Sequence, residues 1–269
     1  MTLTYHPAPP PSTPLGNLSV AHWTDLHVGE RAREGALTTL VDHALAQLAP
    51  HSTAIVISGD LTHNGGASEI KACARQLLRL RVAGFQVLVV PGNHDCGPLG
   101  LLWRAERRAA FNHLWRASSA RPLAPRWPQV ARFGGWRFIL LDSCEGQEGE
   151  LVTLARGELG LGQLARLELE LAEPGPVVVV LHHHPFSRDL TMDMDDSAQL
   201  LELLGRREVG LVLFGHMHRR GEWTDKPGVG IAADGGQTTE PVNGAYQYRL
   251  YRLGEDGRAL GTTIRVPVP

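Results

Sequence analysis

The sequence predicts an α/β fold built on a parallel sheet. Its first half alternates strand-like and helix-like segments in the order β-α-β-α-β, the pattern of parallel strands joined by right-handed crossovers. The strand-like segments are short apolar runs rich in β-branched residues, which is typical of buried strands. Each run stops abruptly at polar residues, and ligands of open α/β sheets bind where the carboxyl ends of the strands meet.

Three strands and two helices are predicted in the first half. The first helix carries apolar residues on one face at helical spacing, and the second has Ser68 as its expected N-cap and Gly84 as its expected stop. The strands are predicted at 18–24, 53–58 and 86–90, and the helices at 33–49 and 68–83.

The second half of the chain is more varied, with further strands that end in polar residues. Two apolar runs flank Gly134-Gly135 and predict a β-hairpin, and Asp196 or Ser197 is the expected cap of a later helix. The strands are predicted at 130–133, 136–142, 177–181, 209–214, 229–232, 246–253 and 262–266, and the helices at 101–118, 161–171 and 198–204.

Composition and charge argue against several classes of protein. The chain has 269 residues, 43% of them hydrophobic, which suffices for one large domain or two small ones with a sizeable core. A formal net charge of -2 gives no electrostatic reason to expect nucleic acid or an anionic membrane as a partner. The three cysteines are too few and scattered for a disulfide framework or a cysteine-based zinc site, so the reducing cytoplasm is the expected location.

Residues 1–16 are predicted to form a disordered, proline-rich tail, and residues 17–269 a single domain. The tail contains five prolines and lacks the basic and apolar regions of a signal peptide. No apolar stretch approaches the ~20 residues of a membrane span, so no membrane partner is expected.

The stretch Asn93-His94-Asp95 stands at the end of the third predicted strand. Pro91 cannot continue a central strand and Gly92 permits a sharp turn, so the three polar side chains are presented at the carboxyl end. An amide, an imidazole and a carboxylate can supply a metal ligand, a proton carrier and a group that orients it. Taken alone, the same residues would be ordinary turn residues.

Four further strand ends carry the same kind of residue. A single histidine at a strand end is more often a hydrogen-bonded structural residue than a ligand, but five such ends in one sheet are hard to reach by chance. Imidazole, carboxylate and carboxamide groups favour borderline or hard divalent ions. They outnumber the ligands that one ion needs, so two ions sharing a bridging carboxylate are predicted. The four ends are Asp25-Leu26-His27, Asp60, His182-His183-His184 and Gly215-His216-Met217-His218.

This combination resembles the calcineurin-like metallophosphoesterase superfamily, and segments 24–27, 58–62 and 181–185 resemble its class III cyclic-nucleotide phosphodiesterase branch. The resemblance implies a four-layer α-β-β-α sandwich of two mixed sheets and a metal-dependent phosphohydrolase. The motifs that carry it, in family order over residues 25–218, are Asp25-X-His27, Gly59-Asp60, Gly92-Asn93-His94-Asp95, His182 and Gly215-His216-X-His218.

The resemblance also implies ligands for two divalent ions, with manganese, iron or zinc as candidate metals. Asp60 would bridge both ions, and three further side chains would complete each site. Many relatives have two histidines before two prolines, whereas this chain has three histidines before Pro185, so His183 remains the alternative to His182. His184 is expected behind the ligands or facing solvent. The implied ligands are Asp25, His27 and His218 for the first ion, and Asn93, His182 and His216 for the second.

The implied reaction is hydrolysis of a phosphodiester, with cyclic nucleotides as the expected small-molecule substrates. The ions would bind phosphate oxygens and lower the pKa of a bridging water, and the resulting hydroxide would attack in line. His94 is expected to protonate or stabilise the leaving alkoxide, with Asp95 fixing its tautomer. A broad phosphomonoesterase or a nuclease on the same scaffold is the alternative.

Two observations weigh on these alternatives. Only about fifty residues follow His218, which leaves little room for the DNA-binding cap of a repair nuclease. A non-enzymatic member would have lost ligands, whereas this chain retains a full set. The candidate residues for the walls of the substrate site are Trp103, Trp115, Trp127 and the acidic loop 192–196. The alternative is that the tryptophans are core residues and the loop is solvated. His63 is close enough to Asp60 in the sequence to touch substrate, although a role in the loop is favoured.

Overall fold

The structure is a computed structural model that describes residues 18–33, 35–119, 126–147, 155–187, 189 and 192–269. The tail predicted over residues 1–16 therefore lies outside the described residues. Within them, eleven strands form two mixed sheets. None of the described helices is long and apolar enough to cross a membrane.

The first sheet contains the parallel strands predicted from the first half of the chain. Its strands are β1 (Leu18–Trp23), β2 (Thr53–Ser58), β3 (Gln86–Val90), β10 (Ala245–Leu253) and β11 (Ala259–Pro267). The order is β11-β10-β1-β2-β3, with β1, β2 and β3 parallel and β10 and β11 antiparallel. The crossover helices are α1 (Ala36–Gln47) and α2 (Ala67–Val82). A four-residue helix α3 (Asn93–Cys96) and helix α4 (Ala105–Ser119) follow β3.

The second sheet contains the predicted hairpin and the strands of the second half. Its strands are β4 (Gln129–Phe133), β5 (Trp136–Leu140), β6 (Val177–Val180), β7 (Val209–Phe214), β8 (Gly221–Trp223) and β9 (Val229–Asp234). The order is β4-β5-β6-β7-β9-β8, with antiparallel strands at both edges. Helices α5 (Leu161–Ala172) and α6 (Ser197–Gly205) connect its parallel strands. No pattern in the sequence predicts β8, which has only three residues.

The two sheets pack face to face between two layers of helices. Along β6, Val178 and Val180 belong to the core shared with the first sheet, whereas Val177 and Val179 belong to the core shared with α5 and α6. Successive side chains of a strand point to opposite faces, so the second sheet has one apolar layer on each side. Helices α1 and α2 pack on the first sheet, and their buried residues belong to the same core as its strands. The four-layer α-β-β-α prediction is confirmed.

The predicted N-cap of α2 is wrong, whereas Asp196 is confirmed as the N-cap residue of α6, although not through its side chain. Helix α2 has Gly66, not Ser68, as its N-cap, and the Glu69 carboxylate accepts the Gly66 N–H at 2.8 Å. The Asp196 side chain makes no capping bond to α6 and instead accepts the N–H of Gly160 at 2.9 Å, at the start of α5. Glu69 lies in the first turn of α2, whereas the Asp196 side chain bonds to a residue 36 positions away in the chain.

Candidate metal centre

Seven polar side chains converge at one edge of the sandwich. Strands β1, β2 and β3 end beside each other, and so do β6 and β7, because their parallel registers align Trp23 with Ile57, Ser58 with Val90, and Val180 with Leu213. The loops that follow these strands therefore face a common crevice. Six of the seven side chains are buried and His218 is exposed. The seven are Asp25, His27, Asp60, Asn93, His182, His216 and His218.

One group of four side chains surrounds a space that one metal ion would fill. Asp25 Oδ1 lies 3.2 Å from His218 Nε2 and 3.9 Å from His27 Nε2. His27 Nε2 is also 3.1 Å from His218 Nε2 and 3.7 Å from Asp60 Oδ2. One potential ligand atom from each residue lies within 4.8 Å of the others. Carboxylate oxygens and imidazole nitrogens are suitable donors for zinc, manganese or iron.

A second group shares Asp60 with the first. Asp60 Oδ2 lies 3.4 Å from His182 Nε2, which is 3.0 Å from Asn93 Oδ1 and 3.3 Å from His216 Nδ1. The other carboxylate oxygen, Asp60 Oδ1, accepts the backbone N–H of His94 at 2.9 Å. Asp60 is thus anchored through one oxygen, and its second oxygen faces both groups.

The contacts of His182 show that this arrangement fits a cation. His182 Nδ1 lies 2.9 Å from the carbonyl of Ser58, an acceptor, so the ring proton belongs on Nδ1. Asn93 Nδ2 donates to the carbonyl of Gly100 at 3.0 Å, which turns Asn93 Oδ1 toward His182 Nε2. A neutral His182 would therefore point a lone pair at two oxygen acceptors, Asn93 Oδ1 and Asp60 Oδ2. Such buried acceptors are stabilised by a positive charge between them.

The protonation states agree with a cation site. Burial lowers the pKa of His27 to about 4 and that of His216 to about 3, so both rings are neutral at pH 7 and have a lone pair to donate. Burial alone would lower the pKa of His182, but the charge of Asp60 outweighs it and raises that pKa to about 10. Without a metal ion, the positive charge of His182 thus compensates the buried Asp60 carboxylate. A divalent ion can provide the same compensation while His182 is neutral.

The backbone is strained at most of these positions. Eight non-glycine residues of the described chain have positive φ, and five of them belong to the seven converging residues. Their φ values are 52° at Asp25, 44° at His27, 50° at Asp60, 78° at His216 and 54° at His218. Left-handed backbone costs energy in L-residues and is concentrated at functional sites. The fold therefore holds these side chains in place at the expense of local stability.

Glycines allow the loops to pack closely around the site. A Cβ on Gly215 would lie 2.0 Å from Thr24 Oγ1, and a Cβ on Gly59 would lie 2.4 Å from His182 Nδ1. At Gly92 a Cβ would lie 2.2 Å from Asp60 Oδ1 and 2.5 Å from Asp60 N. The glycines of all three motifs are thus required by close approach to a converging residue or to its supporting hydrogen bond.

Gly92→Ala is expected to weaken metal binding about 10- to 100-fold, the range for residues that position metal ligands. The φ of Gly92 is −116°, which alanine adopts without strain, so the effect would come from displacement of Asp60. Metal titration of the apo-protein measures it. Gly162→Ala is the control, because its nearest neighbour is the flexible Arg166 side chain at 3.4 Å. Unchanged affinity in Gly92→Ala would contradict the expectation.

His94 lies beside the two groups, and its orientation differs from the prediction. Its Nδ1 lies 2.7 Å from the carbonyl of His63, which places the ring proton on Nδ1 and leaves Nε2 as the other ring nitrogen. Asp95 does not fix the tautomer. Its carboxylate accepts the N–H groups of Leu61, Thr62 and Gly92 and the Thr62 hydroxyl. Because these donors come from the loop after β2 and the loop after β3, Asp95 ties the two loops together. They also occupy the carboxylate oxygens, so Asp95 has no oxygen left to orient His94.

The three consecutive histidines have different surroundings. His182 contacts Asp60, whereas His183 Nδ1 lies 2.7 Å from the Ser143 hydroxyl and its ring packs against His216. His184 is buried and packs edge-on against Phe214, so it does not face solvent. The geometry favours His182 over His183 as the ligand.

Several supporting residues carry no signal in the sequence. Thr24 donates its hydroxyl to Asp25 Oδ2 at 2.6 Å, and Gly100 accepts from Asn93 through its backbone carbonyl. Asp234 is fully buried, and burial together with the Asp25 carboxylate raises its pKa to about 8. Hydroxyls and backbone carbonyls of this kind occur throughout any sequence, so only the three-dimensional contacts identify them.

A cavity of about 400 Å³ opens over the converging side chains. Trp127 does not line this cavity and is buried in the core, which was the alternative to a substrate wall. The side chain of Trp115 is not among those that the structure describes. From the acidic loop only Met192 lines the cavity. The carboxylates of Asp193 and Asp195 pair with Arg156 instead.

The fold has two facing mixed sheets, and imidazole and carboxylate groups surround a shared aspartate oxygen at the carboxyl ends of the parallel strands. This combination defines a metallophosphoesterase. Residues 18–220 match the calcineurin-like phosphoesterase family, and the chain belongs to this family. It is accordingly an enzyme that hydrolyses phosphoesters, as the motifs predict.

Relatives of the chain include two phosphodiesterases. It is 27% identical over 276 residues to a 3′,5′-cyclic-nucleotide phosphodiesterase of Nostoc sp., covering 93% of each chain. It is 31% identical over 223 residues to a cAMP/cGMP dual specificity phosphodiesterase of Mycobacterium tuberculosis, covering 76% of this chain and 63% of the relative. The predicted resemblance to the cyclic-nucleotide phosphodiesterase branch is confirmed.

The fold is also found among solved structures. A purple acid phosphatase from yellow lupin seeds superimposes with a TM-score of 0.60 at 13% identity, over 93% of this chain and 51% of that chain. At this identity the likeness shows the fold alone.

Proposed function

We propose that the protein hydrolyses phosphodiesters, with cyclic nucleotides among its substrates, at a centre of two divalent ions. Family membership supplies the reaction class, and the names of the two relatives favour the diester class. The observation that carries the proposal is the position of Asp60 Oδ2, which faces His27 Nε2 at 3.7 Å on one side and His182 Nε2 at 3.4 Å on the other.

In this proposal Asp60 would hold both ions, and manganese, iron or zinc would fit the donor set. Bound there, two divalent ions would polarise the phosphoryl oxygens and lower the pKa of a coordinated water, which supplies the nucleophile. The further ligands are Asp25, His27 and His218 on one side, and Asn93, His182 and His216 on the other.

His94 is the proposed group that acts on the leaving oxygen. Its ring lines the cavity beside Asp60, and the carbonyl of His63 holds its Nδ1–H, which leaves Nε2 to exchange a proton with the substrate. Protonated at Nε2, His94 can donate to the departing alkoxide, and neutral it can recover a proton from solvent. No protein nucleophile is required.

The lining of the cavity favours a diester over a monoester. A monoester carries an additional negative charge, and enzymes that bind such groups commonly supply arginine or lysine donors. Among the described residues, no arginine or lysine lines this cavity. A singly charged diester needs no such donor, and its second ester group can extend into the cavity.

The metal-replete enzyme is expected to hydrolyse bis(4-nitrophenyl) phosphate with a kcat/KM at least about tenfold above that for 4-nitrophenyl phosphate. The reason is the missing cationic donor, since one charge-assisted hydrogen bond contributes about this factor. Both substrates release 4-nitrophenolate, so a single assay compares them. 2′,3′- and 3′,5′-cyclic nucleotides are the second test, with manganese as the first metal tried.

Two controls separate the outcomes. Metal removal by a chelator should abolish both activities, and readdition should restore them. A clear preference for the monoester would replace the diesterase by a phosphatase. Cyclic-nucleotide rates far below that of the aryl diester would retain the reaction class and discard cyclic nucleotides as substrates.

A further inference from the structure

The cavity over the candidate metal centre is lined by both polar and apolar side chains. The polar lining includes Asp60 and His94, which the proposed mechanism uses. The apolar lining includes Leu99, Leu101, Met192 and Met217, which we call the apolar rim. The mechanism assigns no role to these four side chains.

The two leucines of the apolar rim are unusually exposed. Leu99 has 62% of its surface accessible and Leu101 has 39%, which places both among the large apolar residues that the fold leaves uncovered. An isolated exposed leucine needs no explanation, but apolar side chains grouped at the mouth of a polar site indicate a ligand surface.

The backbone of the rim is held in a strained conformation. Leu99 has a φ of 61° and Ala155, which also lines the cavity, has a φ of 59°. A bulky non-glycine residue in the left-handed region is rare, and such strain is found at ligand-binding positions. The strain therefore extends from the converging ligands to the rim of the same cavity.

Hydrogen bonds fix the Leu99–Gly100 part of the rim relative to the proposed catalytic groups. The Leu99 N–H donates to Asn64 Oδ1 at 3.3 Å, and the adjacent Gly100 carbonyl accepts from Asn93 Nδ2 at 3.0 Å. A Cβ on Gly100 would lie 2.8 Å from His94 Nε2, so the loop passes directly beside that imidazole. An ester substituent on a phosphate bound at the centre would meet the rim.

We propose that the apolar rim binds the flat, uncharged ring of an ester substituent, an aryl group or a nucleobase, and so selects aromatic over small alkyl phosphoesters. This inference rests on the proposed function, because it requires a phosphate at the metal centre. The rim has no charged group, and a ring laid against leucine and methionine side chains is held by apolar contact and sulfur–aromatic contact.

The test measures binding of phenylphosphonate and methylphosphonate to the metal-replete protein by calorimetry. The two probes share the same charged group and differ only in the substituent, and neither depends on hydrolysis. The wild-type protein is expected to bind phenylphosphonate about tenfold more tightly than methylphosphonate. Leu99→Asn combined with Leu101→Asn should remove most of this preference and leave methylphosphonate affinity within about twofold.

The variants are chosen to keep the fold. Asparagine tolerates positive φ better than leucine, so Leu99→Asn should not destabilise the loop. Leu260→Asn is the matched control, since Leu260 is 70% exposed on β11 and does not line the cavity. It should leave both affinities unchanged.

Three results would overturn the inference. One is the absence of any phenyl preference in the wild-type protein, and another is persistence of that preference in the double variant. The third is an equal loss of affinity for both probes in the double variant. That result would show that the loop acts on the candidate metal ligands through Asn93 rather than on the substituent. A failure of the proposed function is seen separately, as absence of diester hydrolysis by a wild-type protein that binds phosphonates.

Discussion

Asp60→Ala is expected to abolish activity and to lower the occupancy of both metal positions. Asp60 Oδ2 is the oxygen that faces both His27 and His182, whereas each other candidate ligand serves one group. The substitution also removes the negative charge that lies beside His182 and compensates a cation held there. A fall in kcat of at least about 10³-fold is expected, the order for loss of one major electrostatic stabiliser. Metal analysis of the purified variant, alongside kcat, measures both effects.

Asp60→Asn separates the charge of Asp60 from its packing. The amide oxygen can still accept the N–H of His94, so the loop should keep its conformation while the bridging charge is lost. Asp225→Ala, at a surface carboxylate that is 74% exposed, is the control for removal of an aspartate. Two ions per chain in either Asp60 variant would show that Asp60 does not bridge.

His94→Gln is expected to reduce kcat about 10²-fold while leaving the metal content near normal. The imidazole lies beside the two groups and is oriented by the His63 carbonyl, so it can serve the leaving oxygen without holding an ion. The loss should shrink for substrates with acidic leaving groups such as 4-nitrophenolate, which need no proton. Rates across diesters with alkyl and aryl leaving groups, with metal analysis, make the measurement.

The control for this variant is His113→Gln, an exposed histidine on α4. It should leave kcat, metal content and leaving-group dependence unchanged. Metal loss in His94→Gln comparable to that in the Asp60 variants would place His94 among the ligands. A uniform loss across all leaving groups would contradict a role in proton transfer.

The predicted strands agree closely with the structure where the sequence has a continuous apolar run. Strands β2, β3 and β7 begin and end at the predicted residues 53–58, 86–90 and 209–214. A run of this kind can be buried only between two apolar layers, and it must end where polar side chains reach the edge of the sheet. The same rule predicted that the polar groups at the five strand ends would meet, because parallel strands in register end together.

Helix ends and short edge strands were less predictable. The N-cap of α2 depends on a hydrogen bond from Gly66 N–H to Glu69, and the Asp196 side chain bonds to the start of α5 rather than to its own helix. A capping residue has several possible partners, and local sequence does not decide which one the fold brings near. Strand β8 exists because it pairs with β9, and that pairing is not encoded in its own three residues.

By itself, the sequence determined the parallel strands, the crevice at their ends and the chemical nature of the groups in it, because these depend on apolar patterning and on the order of strand ends. The four-layer sandwich was implied by the resemblance of its motifs to a known family. Only the tertiary structure decided that His182 rather than His183 faces Asp60, and that a carbonyl of His63 rather than Asp95 orients His94. It also decided that leucine and methionine side chains line the cavity, whereas Trp127 is buried in the core. These outcomes depend on side-chain direction and on competition among partners distant in the chain. Such competition is resolved by packing of the whole domain.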